Sequence, residues 1–102
     1  MTLTGKRALV TGGGSGAGAD LARGFAQAGA EVVITGRRVD ALRAVAEPLG
    51  ARWVQADVTD EASVQRMFQE AGPCDIVIAN AGAADSAVLA KTTLAQWNAM
   101  IA

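Results

Sequence analysis

The sequence predicts an α/β fold built on a doubly wound parallel sheet, and three features support this prediction. Strand-like and helix-like runs alternate along the whole chain. A glycine-rich turn joins the first strand to the first helix. The fourth strand is continuously apolar, which is typical of a strand that helices cover on both faces. Four short strands separated by helices imply right-handed crossovers and four parallel strands in the order 3-2-1-4 with flanking helices.

The first three elements lie between residues 7 and 35. The apolar run Ala8, Leu9 and Val10 predicts strand 1 over Arg7–Thr11. Apolar residues then recur at helical spacing over residues 16–28, and Gly29 is suited to the end of that helix. Residues 31–35 (Glu-Val-Val-Ile-Thr) are β-branched and predict strand 2.

The next three elements continue the alternation. A second helix is expected over residues 40–47, with Pro48 and Gly50 marking its end. Strand 3 is expected over residues 52–56. Thr59 or Asp60 is expected to cap a third helix that ends at Gly72 and Pro73, and its apolar residues follow the i, i+3, i+4, i+7 spacing.

The last part of the chain contains strand 4 over residues 75–79 and then a long connection, expected to be a loop, over residues 80–92. Thr93 begins a capping-box spacing that predicts a final helix. In the order 3-2-1-4, strand 4 is expected to be an exposed edge, so the 102 residues alone should be marginally stable or should pair with another chain.

Composition excludes several classes of function. The 102 residues carry a net charge of −1 with both signs interspersed, which gives no basic patch for nucleic acid or an anionic membrane. No apolar run approaches the roughly 20 residues of a membrane helix. With no histidine and Cys74 as the one cysteine, neither a zinc site nor a histidine-based triad is expected within these residues. Strand 1 begins close to Met1, so we expect no targeting peptide and a cytoplasmic location.

The glycine-rich stretch 10–18 reads Val-Thr-Gly-Gly-Gly-Ser-Gly-Ala-Gly. A strand, a glycine turn and a helix in this order are typical of a Rossmann-like dinucleotide site, where the pyrophosphate approaches backbone N–H groups and the positive end of the helix dipole. A flexible linker is the alternative interpretation, but linkers are not flanked by a buried strand and an amphipathic helix. The predicted cofactor-binding residues in this turn are Gly12, Gly14, Ser15, Gly16, Ala17 and Gly18.

The residues after strand 2 indicate which nicotinamide cofactor is bound. NAD sites place a carboxylate there for the ribose 2′-hydroxyl, whereas NADP sites favour a cation. Here Arg37 and Arg38 follow the strand, and the next acid is Asp40. An arginine can pair with a 2′-phosphate through two hydrogen bonds. NADP is therefore the expected cofactor and NAD the less favoured one; a solvated basic pair at a helix start is the alternative interpretation.

Three motifs resemble those of the short-chain dehydrogenase/reductase family. The turn has the spacing Thr-Gly-x-x-x-Gly-x-Gly through Gly12, Gly16 and Gly18. Asp57-Val58 follows strand 3, and Asn80-Ala81-Gly82 follows strand 4, where Ala79 replaces the asparagine that is more usual in the family. The resemblance covers the whole chain.

The resemblance implies roles for these motifs. Arg37 matches the position that carries NADP preference in many relatives, and Arg38 could stack on the adenine. Asp57 and Val58 would contact the adenine, although a capping role for Asp57 in the next helix is equally compatible with its spacing. Asn80 would bridge neighbouring strands, and Ala81 and Gly82 would leave room for the cofactor ribose.

The resemblance also implies hydride transfer between NADP(H) and a small carbonyl or alcohol substrate, in a homodimer or homotetramer built through the helix at Thr93. Family members use a tyrosine, a lysine, a serine and an asparagine as catalytic groups, whereas this chain has no tyrosine and ends at Ala102 before the expected asparagine. No catalytic residue is therefore assigned within it.

Three interpretations follow. Residues 1–102 are the cofactor-binding N-terminal part of a single-domain oxidoreductase whose catalytic part lies outside them, which we favour. Alternatively, they are a truncated nucleotide-binding module without catalytic activity, or a scaffold for protein–protein interaction. The phosphate-binding turn and Arg37 argue against the scaffold.

Overall fold

The computed structural model describes residues 2–12, 14 and 16–79, and the backbone of residues 87–89. Its strands are β1 (Arg7–Thr11), β2 (Glu31–Gly36), β3 (Arg52–Gln55), β4 (Ile76–Ala79) and β5 (Ala87–Leu89), and its helices are α1 (Gly16–Gln27), α2 (Val39–Leu49) and α3 (Glu61–Ala71). The strands form a single sheet in the order β3-β2-β1-β4-β5.

The first four strands are parallel, which confirms the predicted order 3-2-1-4. β1 pairs with β2 and with β4, and β2 pairs with β3. Gly36 lies opposite Gln55, Thr11 lies opposite Thr35, and Val10 lies opposite Ile78. The carboxyl ends of these strands therefore meet at one edge of the sheet, where ligands bind in doubly wound folds.

Helices cover both faces of the sheet, as the apolar strands predicted. On one face Leu9, Val33 and Val77 pack under Val64 and Met67 of α3. On the other face, α1 and α2 pack on alternate strand residues, and the fully buried side chains there include Val10, Ile34 and Leu42. This two-sided burial holds the strand ends, and the turns that follow them, in fixed positions.

Two expectations about the last part of the chain need correction. Residues 87–89 form β5 inside the connection expected to be a loop, and β5 pairs antiparallel with β4 through Val77↔Leu89 and Ile78↔Val88. β4 is therefore not the edge strand of the described sheet. A three-residue strand among small and polar residues has too little alternation to be recognised from periodicity. The helix predicted at Thr93 lies outside the described residues.

The second helix is longer than predicted, because Pro48 lies within it and Gly50 ends it in a left-handed conformation. A proline so close to the helix end removes one backbone bond, while the N–H of Gly50 still reaches Ala46 O and Glu47 O. Leu49 also packs against the α1/α2 face of the core. The packing of this last turn explains why the helix continues past the proline.

Candidate functional site

The glycine turn leaves the carboxyl end of β1 and enters α1 through two left-handed residues. Gly12 has φ 65° and Gly16 has φ 58°, a region that glycine adopts without steric cost. Next to the turn, the buried hydroxyl of Thr11 donates a hydrogen bond to Ile78 O at 3.2 Å. The turn is therefore anchored to β4 on one side and opens α1 on the other.

The first turn of α2 packs closely against the glycine turn and against β2. A Cβ placed on Gly14 would lie 3.2 Å from the Ala41 Cβ, and one on Gly36 would lie 3.3 Å from Leu42 Cδ2. Both separations are tighter than ordinary carbon–carbon contact. The two glycines thus allow α2 to approach the glycine turn and β2.

This close packing forms a cavity of about 170 Å³ at the carboxyl end of the sheet, lined by Gly12, Gly14, Gly36, Arg37, Arg38, Ala41 and Leu42. The turn residues Gly12 and Gly14 and the two arginines, predicted separately from sequence, therefore meet around one space. Both arginines are exposed, and neither forms an ion pair with any residue that the structure describes. The cavity lining thus combines glycine backbone with two cationic side chains.

Two hydrogen bonds from the end of β3 fix the segment that carries the arginines. The Gln55 side-chain amide donates from Nε2 to Arg37 O at 3.1 Å, and Ala56 N donates to Gly36 O at 2.9 Å. Arg38 is the N-cap residue of α2 and makes no side-chain capping bond. The backbone at residues 36–38 is thereby held while the guanidinium groups stay available.

Asp57 begins the turn that connects β3 to α3. Its Oδ1 accepts hydrogen bonds from Thr59 N at 2.9 Å and from Thr59 Oγ1 at 2.6 Å, and its own N–H donates to Ser63 Oγ. The Thr59 side-chain and backbone bonds hold the pKa of the Asp57 carboxyl below its ordinary value, burial opposes them, and Arg37 adds a smaller lowering effect. The carboxylate thus orders the turn before α3, and the N-cap residue itself is Asp60.

The other predicted residues lie apart from this cavity or outside the described part of the chain. Val58 is partly buried in the turn after β3, and Gly18 is buried in α1. Ala17 faces a second, larger groove of about 600 Å³ along α1, lined mainly by apolar residues such as Leu21 and Phe25. That groove contains no arginine, so we take the smaller cavity as the site. Ser15, Asn80, Ala81 and Gly82 lie outside the described residues.

Sequence analysis missed four residues that shape the site: Gly36, Ala41, Leu42 and Gln55. Gly36 directly follows the β-branched run of β2, a signal for close backbone approach that could have identified it. Ala41 and Leu42 lie within the predicted second helix, and their residue types alone do not mark them as cavity residues. Their place in the cavity wall depends on where α2 packs, and no local pattern carries that information.

Within the residues that the structure describes, no three His, Cys, Asp or Glu side chains come together as metal ligands. The described helices are also too short or too polar to cross a membrane. The cavity lined by the glycines and the arginines matches the sequence motifs.

Comparison with known proteins agrees with this geometry. Residues 6–102 match the family model described as short chain dehydrogenase. The NADP-dependent (R)-specific alcohol dehydrogenase of Lentilactobacillus kefiri is 41% identical over 107 residues, covering 97% of this chain and 42% of that protein. The chain thus spans about two fifths of that relative's length.

Solved structures give the same result. A short chain dehydrogenase/reductase family protein superposes with a TM-score of 0.77 at 47% identity, over 81% of this chain and 36% of that chain. The Pseudomonas aeruginosa RhlG/NADP active-site complex superposes with a TM-score of 0.74 at 37% identity, over 80% of this chain and 36% of that chain. The chain therefore belongs to the short-chain dehydrogenase family.

Proposed function

We propose that this chain is the cofactor-binding part of an oxidoreductase that transfers hydride between NADP(H) and a small carbonyl or alcohol substrate. The observation that carries the proposal is the pair of arginines, Arg37 and Arg38, which line the cavity beside the glycine turn and form no ion pair with a described residue. A 2′-phosphate distinguishes NADP from NAD, and an arginine pair without a carboxylate partner favours that phosphate. The names of the L. kefiri relative and the P. aeruginosa complex both include NADP.

The residues present fit a dinucleotide. A cavity of about 170 Å³ is smaller than the roughly 300–1,000 Å³ of sites that enclose a whole small ligand, so it suits the phosphorylated ribose rather than the complete cofactor. Gly12, Gly14 and Gly16 would bring backbone N–H groups to the pyrophosphate at the positive end of the α1 dipole. Arg37 would hold the 2′-phosphate.

The remaining predicted contacts belong to the adenosine part. Arg38 would stack on the adenine, Asp57 and Val58 would contact its edge, and Asn80, Ala81 and Gly82 would border a ribose. The bound cofactor supplies or accepts a hydride at C4 of its nicotinamide. The described residues contribute binding and orientation, and no catalytic acid is assigned among them.

The test of cofactor choice is calorimetric binding of NADP⁺ and NAD⁺ to the purified chain. We expect tighter binding of NADP⁺. Arg37→Asp should weaken it by about 1.5–3 kcal/mol, the range for a hydrogen bond to a charged group, because the new carboxylate also repels the phosphate. NAD⁺ binding should change less. Arg66→Asp on α3 makes the same charge change far from the cavity and serves as the matched control. Unchanged NADP⁺ affinity in Arg37→Asp would remove this residue from the site.

A nucleotide-binding module without catalysis is the second candidate, because every site residue predicted here is a cofactor-binding one. The two candidates can be distinguished by measuring the intact mass of the protein isolated from its natural source. A mass well above 10.3 kDa would support the oxidoreductase, which we then expect to be a cytoplasmic homodimer or homotetramer. A mass of 10.3 kDa, together with NADP⁺ binding and no NADPH oxidation, would support the module.

A further inference from the structure

The end of β3 places an acid beside the proposed phosphate-binding arginine. β2 and β3 are neighbours, and Gly36 lies opposite Gln55. Arg37 directly follows Gly36, and Asp57 lies two residues after Gln55, at the neighbouring strand end. An acid and a base placed at neighbouring strand ends are positioned to form an ion pair. Such a pair would compete with a phosphate for the guanidinium of Arg37.

The structure shows a different partner for the acid. Asp57 Oδ1 accepts two hydrogen bonds from Thr59, at 2.9 Å from the backbone N–H and at 2.6 Å from the hydroxyl. Among the described residues, no carboxylate oxygen lies within the 4.0 Å of an ion pair from Arg37. The Asp57 carboxylate is therefore engaged in its own turn rather than with its cationic neighbour.

We propose that Thr59 is a positioning residue that holds the Asp57 carboxylate away from Arg37 and so leaves this arginine available to the cofactor's 2′-phosphate. The proposal rests on the proposed NADP site. An Asp57–Arg37 pair would have to break before the phosphate could bind, and the released carboxylate would then repel it. Arg37 is the smallest of the effects that lower the pKa of the Asp57 carboxyl, which agrees with the positions of the two residues at neighbouring strand ends.

The binding test uses 2′,5′-ADP and 5′-AMP, which differ only in the 2′-phosphate. Thr59→Val keeps the shape and the backbone N–H of this exposed residue but removes the hydroxyl. It should weaken 2′,5′-ADP binding about 3- to 10-fold more than 5′-AMP binding, the size expected for one hydrogen bond. A loss of the fold or of the adenine contact would weaken the binding of both ligands equally.

Two further variants complete the binding test. Thr59→Ser restores the hydroxyl and should restore the discrimination between the two ligands. Thr4→Val removes an exposed threonine hydroxyl at the other end of the chain and should leave both affinities unchanged. Equal weakening of both ligands in Thr59→Val would overturn the proposal.

A second measurement tests Thr59 without any ligand. Carbonyl ¹³C NMR titration gives the pKa of the Asp57 carboxyl in the native chain and in Thr59→Val, each with and without Arg37→Ala. If Thr59 keeps the Asp57 carboxylate and the Arg37 guanidinium apart, Arg37→Ala should raise the pKa of Asp57 more in the Thr59→Val variant than in the native chain. An equal rise of the Asp57 pKa in the native chain and in Thr59→Val would overturn the positioning role of Thr59. If the native chain bound both ligands equally, the NADP proposal would fail, and the titration would still decide the role of Thr59.

Discussion

At the residue scale, Gly72 shows how one backbone conformation supports a helix end. It follows α3 with φ 75° and ψ −170°, a region that is essentially restricted to glycine, and a Cβ there would lie 2.7 Å from Arg7 Nη1. We expect Gly72→Ala to lower the free energy of unfolding by about 1–3 kcal/mol. Gly24→Ala in α1 is the matched control, since its Cβ would meet nothing within 4 Å. It should raise stability by about 0.5–1 kcal/mol through its helix propensity. If Gly72→Ala and Gly24→Ala changed the free energy of unfolding in urea equally, the strain proposed at position 72 would be refuted.

At the element scale, Arg7 joins β1 to two other elements at the end of the sheet opposite the site. Its Nη1 donates to Ala71 O at 3.1 Å and to Pro73 O at 3.2 Å, and its Nη2 pairs with Glu31 of β2 at 3.1 Å. Arg7→Met keeps the apolar stem but removes these donors. We expect the free energy of unfolding in urea to fall by about 1–2 kcal/mol, because the bond to Ala71 O is part-buried and therefore stronger than an exposed ion pair.

The control for Arg7 is Arg23→Met in α1. Arg23 pairs with Asp20 three residues earlier, and both side chains are more than half exposed. Such a pair contributes only about 0.2–0.5 kcal/mol. If the two methionine variants lost the same stability, Arg7 would be an ordinary surface charge rather than a link between α3 and the sheet.

At the scale of the whole molecule, the position of a strand within the sheet should set its resistance to local opening. β1 is paired on both sides and Ala8, Leu9 and Val10 are fully buried, whereas β3 pairs on one side in the described sheet and exposes Trp53. Native-state hydrogen exchange should therefore be slowest for the amides of Leu9 and Val10 and faster for those of β3. Protection of β3 equal to that of β1 would contradict this order.

Local signals in the sequence determined most of the fold. Each of the first four strands and three helices has its own apolar periodicity, and the glycines at 12 and 16 are needed by the backbone of the turn itself. Arg37 and Arg38 could also be assigned to the candidate site from the local sequence. They directly follow a strand whose carboxyl end must face the ligand edge of a parallel sheet.

The tertiary structure alone decided the contacts between elements. β5 could not be found from three residues, since its pairing with β4 depends on a partner strand rather than on its own pattern. The packing of Ala41 against Gly14, and the bond from Gln55 to Arg37, likewise join segments separated in sequence. Sequence alone was enough to place the first four strands, the three described helices and the glycine turn, because those preferences act over a few neighbouring residues. Packing determined which of these residues enclose the cavity.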